Sequence, residues 1–87
     1  MKLYLEPIHV TPARDGWPAD LMWRGTRYVV AERQEKWLYG GKWWTTPGLV
    51  GIQRRYYRVT TNTPAGSVVV MEVYEEAGSW VLSRVLD

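Results

Sequence analysis

Alternating apolar and polar positions run through much of the chain and predict strands. In KLYLEPIHV, at the start, Leu3 and Leu5 point to one face and their polar neighbours to the other. A period of two is typical of a strand with one face in water. Pro7 cannot donate to a ladder, so this strand is expected to lie at an edge or to end there.

The rest of the pattern predicts strands joined by short turns. TPARDGWPAD (11–20) is predicted as a loop whose Trp17 packs on the sheet rim, and Arg24-Gly25 as a tight hairpin turn. AERQEKW (31–37) lacks an N-cap residue, so a kinked or bulged strand is preferred to a helical turn. The most secure feature is a C-terminal meander, whose strands are QRRYYRVTT, SVVVMEVYEE and SWVLSRVLD.

No segment carries a helical pattern of three turns or more. The 87 residues therefore predict one all-β domain, residues 1–87, with five or six antiparallel strands in a meander. A flat sheet this small would leave one face bare. We expect it to curl into a half-open barrel or to pair with a second copy.

The aromatic and cationic residues are unevenly distributed. The chain has six Trp, six Tyr and no Phe, and eight of its eleven cations are Arg. Trp and Tyr combine a large apolar body with a polar tip. Arg carries a planar guanidinium group that binds oxyanions and stacks on aromatic rings. These residues concentrate in KWWTTPGLVGIQRRYYRV (42–59). The net charge of the whole chain, +2, is too small by itself to indicate nucleic-acid binding.

Three interpretations of this stretch remain open. On a strand, Tyr57 and Val59 would face the core, and Arg54, Tyr56 and Arg58 would face water. The plainest interpretation pairs the two arginines with glutamates of neighbouring strands, the candidates being Glu72, Glu75 and Glu76. The second is an aromatic platform in a cationic groove for single-stranded nucleic acid. The third is a protein-partner surface, since Trp, Tyr and Arg dominate binding hot spots.

Several classes of chemistry lack their residues. There is no Cys, and His9 is the only His, so thiol catalysis, disulfides and a transition-metal site are not expected. Glu75 and Glu76 are adjacent on a strand and point to opposite faces, so they do not form an acid–base couple. We expect no enzyme activity and no cofactor. No signal peptide or membrane span is recognised, which predicts a cytoplasmic protein.

The order LMWRGTRYVV, KWLYGGKWW, RRYYRVTT and VYEEAGSWVLSRVLD, over roughly residues 21–87, resembles a small bacterial family of unknown function, the DUF6504-like domains. The same outline is similar to the C-terminal tail of the inactive Y-family polymerase-like protein of bacterial mutagenic repair. The resemblance implies contact with DNA or with a repair protein, and it implies no catalytic residues.

The resulting hypothesis is a non-catalytic binding module for single-stranded nucleic acid in DNA repair. Its candidate phosphate contacts and stacking rings are Arg24, Arg27, Trp43, Trp44, Arg54, Tyr56 and Arg58. The alternative is a protein-interaction or self-assembling domain, with the same strip buried in a dimer interface.

Overall fold

A computed structural model of the chain describes residues 2–39 and 54–86. It contains six strands within these ranges: β1 (Lys2–Pro12), β2 (Pro18–Trp23), β3 (Thr26–Tyr39), β4 (Arg54–Asn62), β5 (Val68–Glu76) and β6 (Ser79–Leu86). Each strand pairs antiparallel with the next, and β1 pairs with β6. The predicted all-β meander is confirmed, and the β1–β6 pairing closes it into a barrel.

The segment 31–37 is a bulged strand, as the pattern predicts. It lies within β3, whose pairing with β4 shifts register twice, between Val30 and Glu32 and between Arg33 and Glu35. Each shift inserts one extra residue into β3. The bulges let one long strand follow the curvature of a narrow barrel.

The N-terminal strand is longer than the sequence pattern predicts. β1 continues past Pro7 to Pro12, so the predicted 11–20 loop shrinks to the turn between Pro12 and Pro18. Its described pairing with β2 begins only at His9, and Pro7 therefore lies where only β6 flanks the strand. A neighbour on one side alone leaves room for a residue that cannot donate.

The side chains that β1 buries also differ from those that the alternation predicts. Leu3 and Leu5 are 66% and 55% exposed, whereas Tyr4 packs against the core. A register shift between Leu3 and Glu6, with Leu5 at φ 54°, breaks the simple period. The expectation that the two leucines face a dry side is wrong for this reason.

The core fills the barrel interior. Its fully buried side chains include Leu21, Val59, Met71, Val73 and Leu82. On β4, inward-facing residues alternate with outward-facing ones as predicted. Trp17, in the β1–β2 turn, packs edge-on against Tyr57 with ring centroids 5.2 Å apart, and so closes one end of the barrel as predicted.

Candidate interaction surface

The outward faces of β3 to β6 form one continuous surface, which we call the outer wall. Its members are Glu35, Trp37, Arg54, Tyr56, Arg58, Glu72, Tyr74 and Arg84. They meet because antiparallel register places them directly opposite one another on neighbouring strands.

One row of the outer wall is aromatic. Trp37 lies opposite Tyr56, and Tyr56 lies opposite Tyr74. The Trp37 and Tyr56 rings are stacked, with centroids 5.3 Å apart and planes 6° apart. Tyr56 and Tyr74 are 5.1 Å apart and tilted by 41°. Trp37 and Tyr56 are half-buried and Tyr74 is buried, so the row offers its β3–β4 end to solvent.

The adjacent row is charged and alternates in sign. Glu35, Arg58, Glu72 and Arg84 follow one another across the four strands. Arg58 Nη2 lies 2.8 Å from Glu72 Oε2, and Arg84 Nε lies 2.6 Å from Glu72 Oε1. Arg58 Nη1 lies 3.3 Å from Glu35 Oε2. The Glu72 side chain is only 2% exposed, yet two guanidinium groups satisfy its carboxylate.

The environment of Glu72 shifts its titration. Burial by itself raises the pKa of this carboxyl, but hydrogen bonds from Arg84 and Arg58 outweigh burial and leave the pKa below its usual value. The same bonds raise the pKa of Arg84. Glu72 therefore stays ionised at neutral pH, and the row sets two arginines against two glutamates.

Arg54 joins the aromatic row to a second carboxylate. Its guanidinium lies 4.7 Å from the Tyr74 ring centroid and 3.5 Å from the Tyr56 hydroxyl. Its Nε lies 3.2 Å from Glu76 Oε2. The hydrogen bond with Tyr56 is the main cause that raises the pKa of Arg54, ahead of its contacts with Tyr74 and Glu76.

Two predicted phosphate contacts lie elsewhere. Arg24 and Arg27 flank the β2–β3 turn, at the end of the barrel opposite the turn that contains Trp17. Arg24 Nη2 lies 2.5 Å from Glu6 Oε2, and Arg27 Nη2 lies 2.9 Å from Asp20 Oδ2. The structure thus brings Arg54, Tyr56 and Arg58 together and places Arg24 and Arg27 apart from them. Trp43 and Trp44 lie outside the described residues.

The outer wall includes residues that the sequence interpretation missed. Trp37, Tyr74 and Arg84 were not among the predicted site residues, and Glu72 was named only as a partner for arginine. The alternation of a single strand could not show this grouping, because Trp37 lies beside Tyr56 only through the bulged register of β3 and β4. The predicted cross-strand ion pairs are confirmed, since Arg54 and Arg58 bind Glu76 and Glu72.

Comparison with known families adds one finding. The profile of a domain of unknown function, DUF6504, matches residues 1–87. The chain belongs to the DUF6504 family. The match extends the resemblance seen in residues 21–87 to the N-terminal strand, so the family pattern covers all six strands of the barrel.

The other comparisons found nothing to report for the DUF6504 domain. No curated protein and no solved structure matches it. In the described ranges, no helix is long and apolar enough to cross a membrane. The same ranges hold no group of three or more His, Cys, Asp or Glu residues placed to bind a metal ion.

Proposed function

We propose that this DUF6504 domain is a non-catalytic module that binds another protein through the outer wall. The observation that carries the proposal is the stacked, half-buried pair Trp37 and Tyr56, framed by the paired guanidinium groups of Arg54 and Arg58. Trp, Tyr and Arg are the residues enriched in protein-binding hot spots. The pairing of the wall's arginines with glutamates supports a protein ligand over a polyanion.

The second support is electrostatic. Binding of nucleic acid relies on cations that exchange for the counterions of phosphates. On the outer wall, Arg54, Arg58 and Arg84 each already bind a glutamate. A phosphate approaching them would meet those carboxylates as well, whereas a neutral or mixed protein surface would not be repelled.

The proposal is tested by affinity purification from the native cell with quantitative mass spectrometry. We expect a protein retained by the wild-type domain to be lost with Trp37→Ala and to return the domain in the reciprocal purification. Met22→Ala is the matched control, because Met22 is 42% exposed and lies on β2, away from the wall. Identical protein sets for wild type and Trp37→Ala would contradict the proposal.

A second copy of the chain is the partner to test first. Sedimentation velocity over a range of concentrations would show a dimer that Trp37→Ala converts to a monomer. A monomer at every concentration removes self-assembly and leaves a different protein as the partner.

Single-stranded nucleic acid is the second candidate, favoured by one observation. The Trp37 and Tyr56 planes are only 6° apart, and parallel rings on a sheet surface are the kind of platform on which bases stack. Oligonucleotide titration followed by Trp fluorescence would show quenching that weakens steeply as salt rises. An unchanged signal at micromolar oligonucleotide would exclude it.

The cellular setting we propose is the bacterial cytoplasm, in mutagenic DNA repair. The support is the resemblance of residues 21–87 to the tail of the polymerase-like repair protein. A repair protein among the partners lost with Trp37→Ala would support this setting, and partners without any link to repair would oppose it.

A further inference from the structure

A pocket of about 420 Å³ opens at the end of the barrel that carries the β1–β2 turn. The turn residues Asp15 and Gly16 form one side, and the β3 residues Lys36 and Leu38 form another. Arg55 and Tyr57, on β4, complete the polar lining. Its size falls in the range of small-molecule sites, roughly 300–1,000 Å³.

The Tyr57 side chain is placed as a hydrogen-bond donor in this pocket. It is only 7% exposed and is held by aromatic contacts with Trp17 and Trp80, at 5.2 and 5.5 Å between ring centroids. Its hydroxyl faces the turn, because a Cβ built on Gly16 would lie 3.9 Å from the oxygen. No residue of the described ranges forms a hydrogen bond with this hydroxyl, and no buried side-chain oxygen of these ranges lacks a partner, so the hydroxyl is open to the pocket's solvent.

The hydroxyl is protonated under ordinary conditions. Burial is the main cause that raises the pKa of Tyr57 above its usual value, and the nearby Glu75 carboxylate adds to the effect. A phenol with a raised pKa keeps its proton at neutral pH and can donate a hydrogen bond to an acceptor. The pocket therefore offers a donor for which the described residues supply no acceptor.

Lys36 adds a positive charge beside this donor. Its ammonium nitrogen lies 6.0 Å from the Trp17 ring centroid, and Lys36 lies directly opposite Tyr57 in the β3–β4 ladder. In the part of the chain that the structure describes, no carboxylate forms an ion pair with Lys36. The two other charged lining residues are already paired, Asp15 with Arg33 and Arg55 with Glu75. Among the described lining residues, the uncompensated charge is thus the ammonium group of Lys36.

We propose that this pocket binds a small ligand through an oxyanion group, a carboxylate or a phosphate, held by the Lys36 ammonium and the Tyr57 hydroxyl. A charged acceptor satisfies both groups at once, and such bonds are stronger than neutral ones. Trp37, Tyr56 and Leu38 also line the pocket and give the rest of the ligand an apolar wall. The pocket adjoins the outer wall, since Trp37 and Tyr56 belong to both, but the groups proposed to hold the oxyanion, Lys36 and Tyr57, are not members of the wall.

The test is a titration of the ¹⁵N-labelled full chain, followed by amide chemical shifts. Inorganic phosphate and phenyl phosphate form one arm, and acetate and benzoate form the other. We expect saturable shifts at Gly16, Lys36 and Tyr57 in at least one arm, and the stronger arm identifies the oxyanion. The probe with a ring is expected to bind more tightly than its partner without one, because of the apolar wall.

Variants show whether the two named groups hold the ligand. Tyr57→Phe and Lys36→Gln are each expected to weaken binding about tenfold or more. A loss of this size is the usual contribution of a hydrogen bond to a charged group. Tyr4→Phe and Lys2→Gln are the matched controls, since both residues lie at the opposite end of the barrel. If Tyr57→Phe disturbs the fold, Lys36→Gln decides, because Lys36 is exposed.

Two results would overturn the inference. One is the absence of saturable shifts around the pocket with all four probes at millimolar concentration. The other is binding that both Tyr57→Phe and Lys36→Gln leave unchanged.

Discussion

Arg84 Nε donates to Glu72 Oε1 over 2.6 Å, and this bond ties β6 to β5 on the outside of the barrel. Arg58 Nε, on β4, donates to the other carboxylate oxygen of Glu72 over 2.9 Å. A buried carboxylate is tolerated only when it is paired and hydrogen-bonded, so three strands share one electrostatic centre. The outer wall is therefore a second packed layer outside the apolar core.

Replacing Glu72 by Gln is expected to destabilise the fold by about 2 kcal/mol. Removing one partner of a buried pair typically costs ~3–5 kcal/mol, and we expect less here because the arginines keep contact with water. Arg58 and Arg84 have side chains 30% and 34% exposed. Urea unfolding followed by Trp fluorescence gives the difference.

Glu75→Gln is the matched control for Glu72→Gln. Glu75 is also on β5 and pairs with Arg55 at 3.2 Å, but these side chains are 26% and 61% exposed. An exposed pair contributes ~0–1 kcal/mol. Equal losses in the two variants would show that burial of Glu72 adds nothing.

Stability is expected to fall as the pH drops below about 4. The hydrogen bonds from Arg84 and Arg58 lower the pKa of Glu72 in the folded state despite its burial. Hydrogen bonds from Arg24 and Arg33 likewise lower the pKa values of Glu6 and Asp15. A lowered folded-state pKa gives stability that is present above the unfolded pKa and is lost as pH falls through the folded value.

Urea midpoints measured between pH 3 and pH 7 test this dependence. Over the acidic part of that window the unfolded chain binds more protons, so the free energy of unfolding rises with pH. The slope should be shallower in Glu72→Gln, which lacks one of the three titrating groups. An identical slope in wild type and variant would show that Glu72 does not contribute.

Truncating a buried core side chain is expected to lower the free energy of unfolding far more than truncating an exposed one. Leu82 is fully buried, so Leu82→Ala should lose about 2–5 kcal/mol through lost burial and the cavity left behind. Leu38 carries the same side chain but is 63% exposed. Leu38→Ala should therefore stay within about 0.5 kcal/mol of wild type in the same urea assay. Similar losses at both positions would contradict the placement of the core inside the barrel.

The fold class could be predicted because strand alternation and turn residues are local signals. On β4, Tyr57 and Val59 face the core and Arg54 and Arg58 face outward, as the period of two requires. A bulge was expected in 31–37, but the alternation does not reveal the one on β6. On β6 the register shift near Ser83 brings Val85 to the core side, whereas simple alternation places it outside.

Of the outer wall, only the residues that share one strand could be predicted from the sequence. The grouping of Arg54, Tyr56 and Arg58 follows from the period of β4 alone. Without the two bulges in β3, Trp37 would lie opposite Arg54, and with them it lies opposite Tyr56. Arg24 and Arg27 are not part of the outer wall because the β2–β3 turn lies at the opposite end of β3 from Trp37.

The last prediction concerns the two-residue turn between β5 and β6. Ala77 and Gly78 both have positive φ, 51° and 83°, which suits the Asn-Gly pair favoured in such hairpins. Because Asn tolerates this conformation better than Ala, Ala77→Asn should stabilise the fold by about 0.5 kcal/mol. A Cβ on Gly78 would meet nothing within 4 Å, so Gly78→Ala tests backbone strain without a clash and should destabilise by about 1 kcal/mol. Urea midpoints that move in the opposite directions, or not at all, would refute this turn geometry.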